Sequence, residues 1–525
     1  MKTPHLLIAL LLSLAPARGN PIDDLLARHA PPGAVEEAAP HVLVRRLYLD
    51  LAGELPPPEV VDDALAAPVD VDALTDRLLA SPEFDRHWGR VLRTWLTSGI
   101  PAYQPLASRS LARWLAERLA AHVPVSAIAG ELVSARGTAL DHPAVSYLLM
   151  LRDSREDMAG HVARTLLGAR IQCAQCHDHP FAAWKQDDFR AFADVFAQMR
   201  TVQWPVSIVE RAIAGSPITP DQYLHAMPAY VRSKTAGTDE RIRALVASYA
   251  AVRAEGQPTP DTATMSRYFE KLAIPRELRR ELTPGTLALV LDTGDAHDTH
   301  PRFLDGTPVT DGPRRAAFAR WIAADPQRRW ARCLANRAWK QLMGRGLVEP
   351  VDELDRPDDA RFADVLDAVA ARWVADGAEL RGLVRAIVSS RAYRRACRGE
   401  APADARFAFQ HALARPLLPE VLARCVLQCA GDTDPDRAAT LTDRLARTLR
   451  TTSGVPAESL SPSLSDALFL MNGPLNELFA GAPTVTFRRA LCRDATGAER
   501  AAFAAAAPAD ALFALCTSAE FQEVQ

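Results

Sequence analysis

Residues 171–184 read IQCAQCHDHPFAAW. Two thiols, Cys173 and Cys176, stand two residues apart; His177 follows directly, then Asp178 and His179. Covalent haem attachment needs two thiols on one short turn, to add to the two vinyl groups of the porphyrin. It also needs an imidazole at the next position, to reach the iron from the same side. C-x-x-C-H meets that requirement and reads as c-type haem attachment. Two other chemistries draw on the same residues. A bare divalent ion such as zinc takes four ligands from Cys, His, Asp or Glu. Cys173, Cys176, His177 and His179 supply the types, with Asp178 as a further oxygen donor, but two histidines one residue apart fit poorly around one tetrahedral ion. A structural or redox cysteine pair is the third reading, although a redox C-x-x-C prefers a βαβ context that the neighbouring sequence lacks.

For a haem iron, His177 is the proximal ligand and the sixth position stays open. His179 is too near His177 to reach the opposite haem face without a sharp reversal. Met199, expected on the following helix, and Met150, Met158 and His161 upstream are no better placed than ordinary core residues. Methionine ligation would raise the reduction potential, and an open position would permit small-ligand chemistry. Asp187 and Asp188 could act as an acid–base pair near His177, but a helix N-cap role suits them better. DTGDAHDTH, residues 292–300, gathers Asp292, Asp295, His297, Asp298 and His300 in one segment. Such donors can hold a divalent ion, yet short polar residues are also what a turn-rich linker contains. GRG at 344–346 lacks the strand and third glycine of a dinucleotide fingerprint and reads as a helix C-terminal turn, with Trp339 ahead of it in the core. Hydrolase, zinc-protease and P-loop signatures are missing.

The elements that must position the turn are helical. Val162, Leu166, Ala169 and Cys173 fall at helical spacing, which would bring Cys173 in on an apolar helix face. Downstream of Pro180 a second helix starts near Asp187 and Asp188, with Phe189, Phe192 and Phe196 on one side. Those rings could cover a haem face, though plain core is the simpler reading. Further on, Phe362, Val365, Leu366, Val369 and Trp373 mark one helix face, with Asp358 or Asp359 as N-cap and Gly377 as stop. Leu380, Leu383, Val384, Ile387 and Val388 mark the next. Strand-like alternation is confined to VQWPVSIV near 202–209 and LALVLD near 287–292. The fold expected is therefore mainly α-helical: two helical domains joined by an irregular, proline-rich segment with a few short strands.

The compartment bears on the choice of chemistry. MKTPHLLIALLLSLAPARGN opens with Lys2, an apolar run from Leu6 to Leu14, and small residues at Ala15 and Ala17. That order is a secretory signal, residues 1–19, with cleavage placed after Ala17. The run is too short for a permanent anchor and no later stretch is long enough to span, so no transmembrane span is expected after cleavage. Export, to the periplasm or beyond, agrees with haem attachment, which occurs outside the bacterial cytoplasm. It also permits disulfides among the six cysteines outside the motif, in a pairing the sequence does not give. The net charge of −3 and the absence of a basic run exclude nucleic acid as an expected partner. Cys425 and Cys429, four apart in VLARCVLQC, read as buried small hydrophobes.

ARIQCAQCHDHPFAAWKQDDFRAFADVFAQ resembles the hallmark segment of planctomycete cytochrome-c-associated exported proteins, which carry two adjacent domains of unknown function. VRRLYLDLAGELPPPEVVDDALA and LTDRLLASPEFDRHWGRVLRTWL are similar to the first of these domains. PRRAAFARWIAADPQRRWARCLANRAWKQLMGRGLVEPVDELDRP, LRGLVRAIVSSRAYR and SDALFLMNGPLNELF are similar to the second. The resemblance implies a first domain over 35–205 holding the C-x-x-C-H, an irregular connection over 206–300 and a second, helical domain over 301–520. It implies a cytochrome-like or electron-transfer role through Cys173, Cys176 and His177, with a redox partner that it does not identify, and it names no substrate. Many relatives carry an additional N-terminal cytochrome c domain, whereas this chain has a single C-x-x-C-H. The expected function is that of an exported c-type haem protein. The alternatives are a non-haem metal-dependent hydrolase or extracellular polymer-binding module, and an envelope scaffold without catalysis.

Overall fold

The computed structural model describes residues 20–29, 36–98, 105–138, 142–151, 154–202, 289–292, 299–310, 312–355, 358, 360–397, 409–432, 441, 486–504 and 506–525. Helices dominate them. The first run comprises α1 (Pro21–Ala27), α2 (Pro40–Leu47), α3 (Pro58–Ala66), α4 (Val71–Leu79), α5 (Pro82–Leu96), α6 (Pro105–Ala120), α7 (Val125–Ser134), α8 (Val145–Leu149), α9 (Arg155–Leu167) and α10 (Gln186–Ala193). The second run comprises α11 (Arg314–Ala324), α12 (Arg329–Met343), α13 (Ala363–Ala375), α14 (Leu380–Val388) and α15 (Pro419–Ala430). Four short helices follow: α16 (Phe487–Leu491), α17 (Gly497–Phe503), α18 (Pro508–Thr517) and α19 (Ala519–Gln522).

The starts and stops follow local chemistry. In α5 Pro82 occupies the first turn, and the Ser81 hydroxyl caps it by accepting from the Phe84 amide at 3.3 Å. Phe84, Trp88, Val91, Leu92 and Trp95 then fall on one buried face. Each such side chain removed from water contributes on the order of 1.5–3 kcal/mol before chain entropy is counted. The expected faces of α13 and α14 are buried as the spacing required. The N-cap of α13 is Phe362 without a side-chain bond, not Asp358, and Asp359 lies outside the described residues. Gly377 does follow the helix, with φ 97°. Gly344 ends α12 at φ 78°, so GRG is a helix stop, and Trp339 is fully buried ahead of it.

The strands are few. β1 (Gly137–Thr138), β2 (Met199–Val202) and β3 (Leu289–Asp292) form an antiparallel sheet in the order β1-β3-β2, with Met199 opposite Asp292 and Val202 opposite Leu289. β4 (Arg415–Pro416) pairs with β5 (Glu523–Val524). The segment expected near 202–209 contributes only Val202, and the rest of it lies outside the described residues. Met199 sits on β2 with 2% exposure, not on a helix.

The two helical runs do not keep separate interiors. One core takes Leu47, Trp88, Leu115, Val162 and Phe192 from the first run and Phe318, Trp339, Leu366 and Ile387 from the second. A smaller core gathers α15, α16, α18 and α19 around Leu49 and Leu55. Buried ions lock these layers. Asp50 accepts both Arg415 nitrogens, at 2.8 and 2.5 Å, and the Tyr393 hydroxyl at 2.7 Å. Arg315, 1% exposed, donates to Asp292 at 2.8 Å and to the carbonyls of Val133 and Ala135. No helix among the described residues is long and apolar enough to cross a membrane.

Candidate functional site

The site is built outward from α9. Its start is capped by the Ser154 hydroxyl, which accepts from the Asp157 amide at 3.0 Å, and Glu156 and Asp157 favour the positive end of the helix dipole. Its end is fixed by Gly168, whose φ of 66° is a left-handed conformation open to glycine without strain. The helix therefore stops five residues before Cys173. The continuous helical spacing expected from Val162 to Cys173 is broken there, and Cys173 does not arrive on a buried helix face. It is exposed, as is Cys176, and neither is in a disulfide.

The two thiols are carried by a single 3₁₀ turn, Gln172–Gln175, closed by the Ala174 amide donating to the Ile171 carbonyl at 2.9 Å. With three residues per turn, positions three apart lie on the same face. Ile171 and Ala174, 1% and 0% exposed, form the inner face and anchor the turn in the core. Cys173 and Cys176 share an outer face, and exposed His177 follows them. On one flank Gln172 lies against α9 where Gly160 leaves room: a Cβ at Gly160 would fall 2.7 Å from Gln172 Cγ.

The imidazole of His177 is oriented by its own loop. Its Nδ1 lies 2.7 Å from the Asp178 carbonyl. A carbonyl only accepts, so Nδ1 carries the hydrogen and the lone pair is on Nε2. His179 has the opposite arrangement. Its Nδ1 accepts from the amides of Phe181 at 3.2 Å and Ala182 at 2.9 Å, which places the hydrogen of the neutral ring on Nε2. Asp178 is used as a staple: its carboxylate accepts from the Gln186 amide at 3.0 Å and from Lys185 Nζ at 3.2 Å. Those bonds, the amide first, hold its carboxyl below the usual carboxylate range. The His179 amide donates to the Trp184 carbonyl at 2.8 Å, and Gln186 Nε2 to the Gln175 carbonyl at 3.2 Å. Residues 177–186 are thus a compact stapled loop, from which Phe181 projects at 72% exposure.

A second clasp comes from residues 352–355, far along the chain. The Leu354 amide donates to the Gly168 carbonyl at 2.7 Å, and the Leu354 side chain fills the space beside Gly168. Arg170 reaches Asp352 at 3.5 Å and Glu353 at 3.4 Å. Trp184 Nε1 donates to the Asp355 carboxylate. None of these partners was picked out by sequence reasoning. Gly168, a residue that permits close approach of another element, is the one local signal that points there, and nothing in the spacing ties 168–184 to 352–355.

The other candidates fall elsewhere. His161 is buried in α9, its Nε2 donating to the Leu96 carbonyl at 2.6 Å, and burial pushes its pKa down to about 3. Met150 and Met158 are core residues, as are Phe189, Phe192 and Phe196, so these rings pack the interior and do not line an open face. Asp188 accepts from the Lys185 amide at 2.9 Å at the start of α10, and Asp187 is exposed beside Arg190. Asp292 pairs with Arg315 and Arg136, and His300 is exposed, its amide donating to Asp194 at 3.3 Å. Asp295, His297 and Asp298 lie outside the described residues. Among the described residues no three His, Cys, Asp or Glu side chains converge as a cation site. His177, Asp178 and His179 are engaged with separate backbone and side-chain partners.

Residues 22–201 match the family model PSCyt2, described as a protein of unknown function (DUF1549), and residues 314–440 match PSD1, described as a protein of unknown function (DUF1553). The thiol turn lies in the first matched stretch and its clasp at 352–355 in the second. No curated protein and no solved structure matches the chain.

Proposed function

We propose that this chain is an exported protein that holds haem covalently through Cys173 and Cys176, with His177 as the iron ligand, and serves in electron transfer. The observation that carries the reading is one turn. Two exposed thiols share the outer face of a 3₁₀ turn, and the next imidazole donates from Nδ1 to a backbone carbonyl. A metal-bound histidine characteristically donates its other ring N–H in this way, which fixes the tautomer and turns Nε2 toward the metal. Haem, when bound, supplies one-electron chemistry at its iron. The chain's residues do the rest. Ile171 and Ala174 hold the turn against the core, Asp178 keeps the following loop closed, and the clasp at 352–355 fixes the approach of the chain to the turn. The thiols are accessible to an attachment system, and their open surroundings leave the site within reach of a partner protein. The similarity of the surrounding stretch to PSCyt2 supports a cytochrome association, and the leading segment 1–19 supports export.

The test is expression with the leader in a bacterium able to mature c-type cytochromes. The expected product shows a Soret band and keeps its haem through denaturing electrophoresis. C173A/C176A loses that retention, while H177A keeps the covalent link and changes the ligand-field bands. A colourless wild-type product from such cells overturns the proposal.

A further inference from the structure

Four arginines meet where α5 faces α15. Arg86, Arg90 and Arg93 recur at four and then three residues along α5, so they share one side of that helix. On α15, Glu420 and Arg424 stand one turn apart. Two contacts bracket Arg90. Toward the end of α5, Arg93 pairs with Glu420, and their side chains are 12% and 9% exposed. Toward its start, His87 lies against Gly53: a Cβ on that left-handed glycine would fall 2.4 Å from His87 Nδ1. The next residue, Glu54, accepts from Arg424 Nη1 at 3.3 Å. Arg90 lies between His87 and Arg93 on this side of α5, one turn back from Arg93, and Arg424 is one turn on from Glu420. Both guanidiniums are thus brought to the same junction. The carboxylates there are already taken: Glu83 pairs with Arg86, Glu420 with Arg93 and Glu54 with Arg424. Arg90, only partly exposed, makes no ion pair of its own among the described residues.

We propose that Arg90, with Arg424 and Arg93 beside it, binds a tetrahedral oxyanion: phosphate, free or as an ester. The proposal uses none of the residues assigned to haem. A guanidinium presents a planar fork of donors that matches two phosphate oxygens, and such charge-assisted bonds are stronger where water is partly excluded. A dianion supplies the counter-charge that the three ion pairs leave Arg90 without. The local field agrees with this. Burial, then Arg424, pulls the Arg90 pKa down to about 9, and burial, then Arg90 and Arg424, pulls His87 down to about 3. An anion held by Arg90 and Arg424 also ties α5, whose apolar face lies in the larger core, to α15 in the smaller one.

The full chain is titrated calorimetrically with inorganic phosphate and, separately, with glycerol 3-phosphate, at constant ionic strength. One saturable site per chain is expected, and the tighter of the two ligands tells the free anion from the ester. R90Q should bind roughly tenfold more weakly, the loss of one charge-assisted bond. R372Q, at an exposed pair on α13, should bind as the wild type does. E54Q releases Arg424 from its carboxylate and should bind several-fold more tightly, which keeps the test decisive if R90Q does not fold. The site is overturned by the absence of saturable heat with either ligand, by equal losses in R90Q and R372Q, by wild-type binding in R90Q, or by binding in E54Q no tighter than wild type.

Discussion

Replacing Gly168 by alanine examines whether the distant clasp holds the thiol turn. Gly168 has φ 66°, and a Cβ there would stand 3.0 Å from both Cγ and Cδ1 of Leu354 and 3.3 Å from the Cβ of Cys333. Two costs arise. Holding an L-residue in the left-handed region costs roughly 1–2 kcal/mol. Crowding against a packed neighbour adds about 1–2 kcal/mol. G168A is therefore expected to lose about 2–4 kcal/mol in urea unfolding, as the sum of these two terms. Leu354 is only partly buried, so L354A alone should cost about 1–2 kcal/mol, below the range for a fully buried leucine. In the double variant the two short Leu354 contacts disappear, but the backbone strain and the Cys333 contact remain. The combined loss should then fall short of the sum by about 1 kcal/mol, a coupling large enough to measure. The four midpoints, read at constant unfolding slope, give the answer. Additivity within about 0.5 kcal/mol would refute the contact on which the clasp depends.

Three further outcomes are expected. D50A leaves the Arg415 guanidinium and the Tyr393 hydroxyl without their buried carboxylate and should cost about 3–5 kcal/mol, seen as a lower urea midpoint. D178N weakens the staple at Gln186 and Lys185, so trypsin should cut after Lys185 several-fold faster in the native protein; unchanged cleavage would sink the staple. Because the Asp178 carboxyl is held low, the tie is fully present above the ordinary carboxylate pKa and is lost as pH falls through the folded value, so the protection of the Gln186 amide against hydrogen exchange should fall only in strong acid. His87 and His161 are each pushed down to about 3, first by burial, then by Arg90 and Arg164 respectively. The unfolded chain takes these protons near pH 6.5 and the folded chain does not, so stability is whole above that value and declines as pH falls toward about 3. The slope is up to about 1.4 kcal/mol per pH unit for each histidine, and urea midpoints that stay flat between about pH 6 and 4 would contradict it.

The sequence was legible wherever an element is held by its own residues. The periods of α13 and α14, the stop at Gly344, the burial of Trp339, Cys425 and Cys429, and the core role of Phe189, Phe192 and Phe196 all follow from spacing and side-chain type. It was misleading at Gly168. The apolar period there runs on to Cys173, but one left-handed residue resets the phase, so the spacing expected to bury Cys173 leaves it exposed. A period is a property of a helix, and it carries no information past the residue that ends one. The clasp was not legible at all. Asp352, Leu354 and Asp355 are ordinary residues in a turn, and their meeting with Gly168, Arg170 and Trp184 is fixed by how α9 and α12 pack in the shared core.

That packing gives the two matched stretches a reason to occur in one chain. The thiol turn has its inner face in the first stretch, through Ile171 and Ala174, and its Gln172 flank against α9 of the same stretch, but the clasp on the chain entering and leaving it comes from the second. Without residues 352–355, the Gly168 carbonyl, the Arg170 guanidinium and the Trp184 indole each lose a partner. If the site takes the haem proposed above, a thiol pair and an imidazole gain from a mount that does not shift, because each degree of freedom left in the turn is lost again on binding. The exposed face supplies reactivity and the clasped flanks supply position. A surface turn fixed from two directions would reconcile, for the proposed haem, the accessibility that covalent attachment requires with the fixed geometry that an iron ligand requires.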